Sequence, residues 1–243
     1  MQETGENERY RRQAAVVGEG GQAALARARI VIAGAGGLGS AIALYCAAAG
    51  IGQIRIVDCD TVEVSNLNRQ ILYRTGDVGA EKVTAAAEDL RALNPGVEVE
   101  PVRTRITAGS AASLVEGVDL VLDALDNFAA RYALAHAAWQ RGIPFIHGAV
   151  HGLYGQATTI IPGRSPCLRC IVPAPPPDGA TPILGVTTGV IGSIQATEAI
   201  KCITGRGTLL TGRVLFWDGV RADVEILPIQ GDPACPDCGG ADR

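Results

Sequence analysis

Residues 30–58 read IVIAGAGGLGSAIALYCAAAGIGQIRIVD. A short apolar run, Ile30 to Ala33, enters a glycine-rich turn. An alanine-rich stretch, Gly37 to Ala49, comes next, and a second apolar run, Ile54 to Asp58, closes on a carboxylate. The order strand, turn, helix, strand predicts the opening unit of a doubly wound α/β sheet. Within it Gly34-Ala35-Gly36-Gly37-Leu38-Gly39 has the spacing G-x-G-x-x-G. The first two glycines of such a turn let the backbone approach a phosphate held at the helix N-terminus. The third lets helix and strand pack closely. Asp58 falls where a carboxylate can hydrogen-bond ribose hydroxyls. A glycine turn without a ligand is the alternative, and the flanking strand, helix and acid together argue against it.

The alternation continues outward. Ala80 to Leu93 reads as a helix stopped by Asn94-Pro95-Gly96, Val97 to Val102 as a strand and Asp119 to Ala124 as another. Phe128 to Gly142 reads as a helix and Pro144 to Ala149 as the fifth strand of a parallel sheet. The pattern changes after His151. Gln156 to Ile161 suits an antiparallel strand, Pro173 to Pro182 a proline-rich loop, and Gly189 to Thr204 a helix. Val214 to Asp218 and Val224 to Leu227 suit a hairpin, and an irregular tail begins at Gly231. The expected fold is a doubly wound, Rossmann-like α/β sheet with a parallel N-terminal part and antiparallel C-terminal strands.

Composition narrows the function. With 47% hydrophobic residues, 19% charged residues and a net charge of −4, the chain can bury a large core and has no bulk attraction for nucleic acid or an anionic membrane. Met1 to Arg12 lack an apolar stretch, so no secretory leader is expected. The apolar segment 30–56 is broken by glycines and Arg55, so no membrane span is expected either. Seven cysteines without disulfide-like spacing fit a reducing, cytoplasmic setting.

The residues beyond the glycine turn favour ATP over a dinucleotide. Asp60 to Gln70 reads DTVEVSNLNRQ and carries Arg69, and Lys82 opens the next helix. Two cations near a helix N-terminus suit a triphosphate. Asp126, just past the fourth strand, suits Mg²⁺. Singly, each of these three could be a solvated surface charge; together they fall at strand C-terminal ends, where ligands of α/β sheets gather. Cys167-Leu168-Arg169-Cys170 and Cys235-Pro236-Asp237-Cys238 form two C-x-x-C pairs. They could complete a closed Cys₄ zinc site, act as a redox dithiol or be unrelated, and the interval between them is longer than in common zinc ribbons.

These pieces resemble the ThiF/MoeB/HesA group, bacterial relatives of ubiquitin-activating enzymes. The matching residues are Arg9-Tyr10-Arg11-Arg12-Gln13, GAGGLGS at Gly34 to Ser40, the Asp58 to Gln70 block with SNLNRQ, and Lys82. They continue with Leu125-Asp126-Asn127-Phe128 and Arg131, Gly155-Gln156, GVIGSIQATEAIK at Gly189 to Lys201, and both cysteine pairs. The resemblance implies ATP·Mg²⁺-dependent adenylation of the C-terminal glycine of a small ubiquitin-like sulfur carrier of the thiamin or molybdopterin type, ahead of thiocarboxylation. It implies a single adenylation unit over 1–243, with a nucleotide-binding part at about 1–150 and a carrier-binding and zinc part at about 151–243. Asp58 would hold the ribose, Arg69 and Lys82 the phosphates, and Asp126 the Mg²⁺. Gly37, Asp60 and Asn66 join the nucleotide-binding set. Arg12 would complete a neighbouring subunit's site in a homodimer, and Cys167, Cys170, Cys235 and Cys238 would bind one structural Zn²⁺ per chain. His147 and His151, at a strand end near the expected path of the carrier tail, suit a structural or substrate-contact role.

One departure from the group stands out. The loop Ala174 to Val186 contains no cysteine, where many relatives carry one. Cys46 and Cys202 read as small apolar residues of helices, and Cys59, between Asp58 and Asp60, as a poor thiolate. The expectation is an enzyme that stops at adenylation and relies on a separate sulfur donor, with no sulfurtransferase domain appended. Three alternatives stand beside it: an NAD-dependent Rossmann oxidoreductase, a non-catalytic carrier-docking module, and a tRNA-modifying dehydratase of the same superfamily.

Overall fold

A computed structural model describes residues 2–174 and 182–239. Most of the expected proline-rich loop, and the middle of the cysteine-free segment, lie outside the described residues.

Eight strands form one sheet: β1 (Arg29–Ala33), β2 (Gln53–Asp58), β3 (Glu98–Arg103), β4 (Leu120–Asp123), β5 (Phe145–His151), β6 (Tyr154–Ile160), β7 (Arg213–Asp218) and β8 (Asp223–Pro228). Their order is β3-β2-β1-β4-β5-β6-β7-β8. The first five are parallel and the last three pair antiparallel, as the sequence predicted. β1 and β4 lie side by side in the middle, and the connections leave them in opposite directions. Their carboxyl ends therefore flank a crevice.

Alternate residues of the buried strands feed two cores. Ile30, Ile32, Ile54, Ile56, Leu120 and Leu122 face one way, against α2 (Gly37–Ala48), α3 (Lys82–Leu93) and α7 (Gly185–Thr204). Val31, Ala33, Val57, Val121 and Phe145 face the other way, against α4 (Ala108–Leu114) and α5 (Phe128–Gln140). Gly192 lets α7 press on α2, because a Cβ there would lie 2.8 Å from the Cβ of Ala41. The edge strand β8 is exposed along its whole length.

Several boundaries differ from the sequence reading, each for a local reason. α7 starts four residues earlier than expected, with Thr187 and Thr188 buried in its first turn. α5 ends at Gln140, because Gly142 turns the chain at φ 68°. α4 is short and was not expected; Thr107 caps it, its side chain accepting from Ser110 N. A further unexpected helix, α1 (Gln2–Arg27), is bent at Gly18, whose φ is 77°. α6 (Leu168–Ile171) is one turn, starting beside Cys167.

Candidate nucleotide and carrier site

The glycine turn sits at the crevice between β1 and β4. Gly34 adopts φ 97° and comes so close to β4 that a Cβ would lie 2.5 Å from Ala124 O. A Cβ on Gly39 would lie 1.9 Å from Gly34 O, so only glycine allows α2 to start here. Asp58, at the end of β2, ties the turn down. One carboxylate oxygen accepts from Ala35 N at 2.8 Å and the other from Asp60 N at 2.9 Å. Tyr73 reaches the same turn, its hydroxyl donating to Ala35 O at 2.8 Å.

From this turn a cleft of about 1000 Å³ runs across the carboxyl edge of the sheet to β6 and β7. Gly37, Asp58, Asp60, Arg69, Lys82 and Asp126 all line it, which brings together six of the residues singled out from the sequence. Lys82, 6% exposed, reaches Asp60 at 3.1 Å and also donates its backbone N–H to Asp60 O. Burial opposes the charge on Asp60, yet Lys82 outweighs it and holds the carboxyl below its ordinary range. Gln70 also faces the cleft, with its buried Oε1 lacking a partner among the described residues.

Two expected residues lie elsewhere. Asn66 is buried in a turn, where its Oδ1 accepts from Glu63 N at 3.2 Å; it borders a smaller recess beside Asp60 and Lys82 instead of the main cleft. Arg12 is exposed on α1 and does not line this chain's cleft. Its neighbours explain its placement. The Tyr10 ring packs on Gly50 and its hydroxyl accepts from Asn94, while Gln13 donates to Ala49 O, so the helix is pinned and Arg12 left outside.

Asp126 occupies a turn that a buried network holds still, and this network was not foreseen. Asp123, fully buried at the end of β4, accepts from His147 Nδ1 at 2.7 Å, Arg131 Nη1 at 3.1 Å and Leu125 N at 3.1 Å. Arg131 also donates to Gly148 O and Leu125 O. Burial opposes ionisation of Asp123, and Arg131 with His147 overcomes it, so its pKa falls below the ordinary value. Burial likewise depresses His147, which stays neutral. His147 is thus a structural residue of the core, while His151 is exposed and lines the cleft. The available signal was a carboxylate closing the apolar run Asp119 to Ala124, since a charge buried in a central strand needs partners. Asn127 then caps α5, accepting from Ala130 N at 2.9 Å.

The four paired cysteines converge. Cys167 Sγ lies 3.5 Å from Cys235 Sγ, Cys170 Sγ lies 3.5 Å from Cys238 Sγ, and Cys167 and Cys170 are 3.9 Å apart. A Zn–S bond of about 2.3 Å sets the edge of a tetrahedron at about 3.8 Å, so the spacing fits zinc. None of the four lines the main cleft. Cys46 is buried, and burial pushes its thiol up to about 12; Cys59 is raised by partial burial and then by Asp60. Neither is poised as a nucleophile.

A profile of the ThiF family matches residues 10–238. The chain is 44% identical to a "SAMP-activating enzyme E1" of Haloferax volcanii, over 92% of this chain and 84% of that one. It is 42% identical to a "Sulfur carrier protein adenylyltransferase" of Thermus thermophilus, over 96% and 91%. Its fold resembles that of E. coli MccB crystallised with ATP, with a TM-score of 0.86 and 22% identity, over 96% of this chain and 75% of that one.

Proposed function

The chain belongs to the ThiF family, and from that premise we propose that it adenylates the C-terminal glycine of a small ubiquitin-like sulfur carrier protein at the expense of ATP. The observation that carries this reading is the placement of Asp126 on a turn locked by Asp123 and Arg131, in the same cleft as the glycine turn, Arg69 and Lys82. A carboxylate oxygen of the carrier attacks the α-phosphorus and forms an acyl–phosphate bond. The bond to the bridging oxygen breaks, and pyrophosphate leaves with the electron pair. The nucleophile is already ionised at neutral pH, so no general base is required. What the reaction needs is alignment and neutralisation of charge between two anions.

The fixed residues supply both. Backbone N–H groups at the start of α2 face the phosphates, and Asp58, half engaged with Ala35 and Asp60, retains acceptor capacity for ribose hydroxyls. Lys82 exchanges Asp60 for a phosphate oxygen, and Arg69 adds a planar second cation. Asp126 would hold Mg²⁺, which when bound lowers the negative charge that repels the incoming carboxylate. Asn66 acts by shaping the loop that carries Arg69. Arg12, outside its own cleft, completes the partner site of a homodimer. Residues 1–150 then hold the nucleotide and 151–243 the carrier and one structural Zn²⁺. The carrier is of the thiamin or molybdopterin type, the sulfur comes from a separate donor, and a reducing, cytoplasmic setting keeps the thiols free.

Carrier-dependent ATP–pyrophosphate exchange against a panel of small Gly-Gly proteins tests this. At least one carrier should stimulate exchange, and Asp126→Ala should lower it at least a hundredfold, about 2.7 kcal/mol or more in transition-state stabilisation. Absence of exchange with every carrier would sink the proposal.

A further inference from the structure

Gln156 on β6 lines the cleft at the end away from the glycine turn. Its Nε2 lies 3.3 Å from His147 Nε2. His147 Nδ1 touches two groups, Asp123 Oδ2 at 2.7 Å and Arg131 Nη1 at 3.0 Å. The two protons of Arg131 Nη1 are taken by Asp123 Oδ2 and Gly148 O, and the shorter contact is to an acceptor, so Nδ1 carries the ring proton. In the neutral ring Nε2 is then bare and can only accept. The amide of Gln156 must therefore turn its NH₂ group toward His147, which leaves its carbonyl oxygen free. That oxygen has no partner among the described residues and is not among the buried atoms. Its ladder neighbours on either side, Ala149 and Phe216, offer no side-chain hydrogen bond.

The sheet order says what can reach it. β6 lies three strands from β1 and its glycine turn, about 14 Å at the usual strand spacing, so the phosphates stop short of it. It lies two strands from β4, whose end leads to Asp126, a separation of about 10 Å. An extended peptide rises about 3.3 Å per residue, so a chain whose carboxylate stands at Asp126 passes Gln156 about three residues back from its terminus.

We propose that Gln156 Oε1 accepts a backbone N–H of the extended carrier tail about three residues from its C-terminus. The bond depends on main-chain geometry, so it selects an extended tail with an N–H at that position whatever its side chain. A proline there is disfavoured. The proposal rests on the adenylation reading.

The test uses a carrier that supports exchange, in its native form and in semisynthetic forms with each of the last four tail amides replaced in turn by an ester. With Gln156→Met the KM for native carrier should rise three- to tenfold, while the KM for ATP stays put. Gln156→Glu keeps an acceptor oxygen and should recover part of the loss. One ester form, near the third position, should raise the wild-type KM similarly and leave Gln156→Met with no further loss. Strictly additive losses at every position, or an unchanged carrier KM in Gln156→Met, would overturn the assignment while leaving adenylation intact. If no carrier of the panel supports exchange with the wild-type enzyme, both the adenylation reading and this assignment fall.

Discussion

The Asp123, Arg131 and His147 cluster shows what single residues cost and contribute here. Asp123 titrates lower in the folded chain than in the unfolded one, so its contribution is complete above the ordinary carboxylate pKa and is lost as pH falls through the lower folded value. His147 works in the same direction at higher pH. The unfolded chain takes up a proton near pH 6.5 that the buried ring refuses, so stability falls as pH drops below about 6.5, by up to about 1.4 kcal/mol per unit for this one group. Urea midpoints between pH 8 and 5 should show this decline, and it should be weaker in His147→Gln. Asp123→Asn should cost about 3–5 kcal/mol at pH 7, because Arg131 is left buried without its counter-charge. Asp58, Arg69, Lys82 and Asp126 were grouped from the sequence by their positions after apolar runs and in the SNLNRQ block, and the structure brings all four to one cleft. Asp123 and His147 were not given their partnership, because β4 and β5 become neighbours only through the sheet order and nothing local reports it.

At the scale of elements, the parallel strands and the helices between them were legible because apolar runs and glycine punctuation set both period and ends. α4 and α1 were missed for opposite reasons. α4 is too short to show a period, and α1 is polar with Gly18, Gly20 and Gly21 interrupting it. Close helix contacts depend on glycines that look interchangeable in the sequence. Gly39→Ala drives a Cβ into the Gly34 carbonyl and should abolish soluble expression or nucleotide binding, whereas Gly20→Ala meets open space. Gly192→Val should lower stability by about 1–3 kcal/mol through overpacking against Ala41 and the Leu38 carbonyl, measurable as a drop in Tm, with the zinc content unchanged.

At the scale of the whole molecule, one sheet carries both ends of the cleft, so on the proposed reading nucleotide and carrier would meet on the same sheet. Arg12 is exposed and does not line the cleft of its own chain. If it completes the partner's site, inactive Arg12→Ala and inactive Asp126→Ala subunits mixed one to one should regain about a quarter of wild-type exchange, since half the dimers then hold one intact site. No regain after dissociation and reassociation would show that Arg12 does not act across the interface. The cysteine cluster, finally, has a consequence in time. Translation delivers Cys167 and Cys170 well before Cys235 and Cys238, with α7, β7 and β8 made in between. The nascent chain therefore carries an unmated dithiol through most of its late synthesis. Pulse-labelled cells under oxidant stress should accumulate chains linked within the first pair, and a zinc-poor medium should enlarge that pool and lower the zinc content of the finished chain.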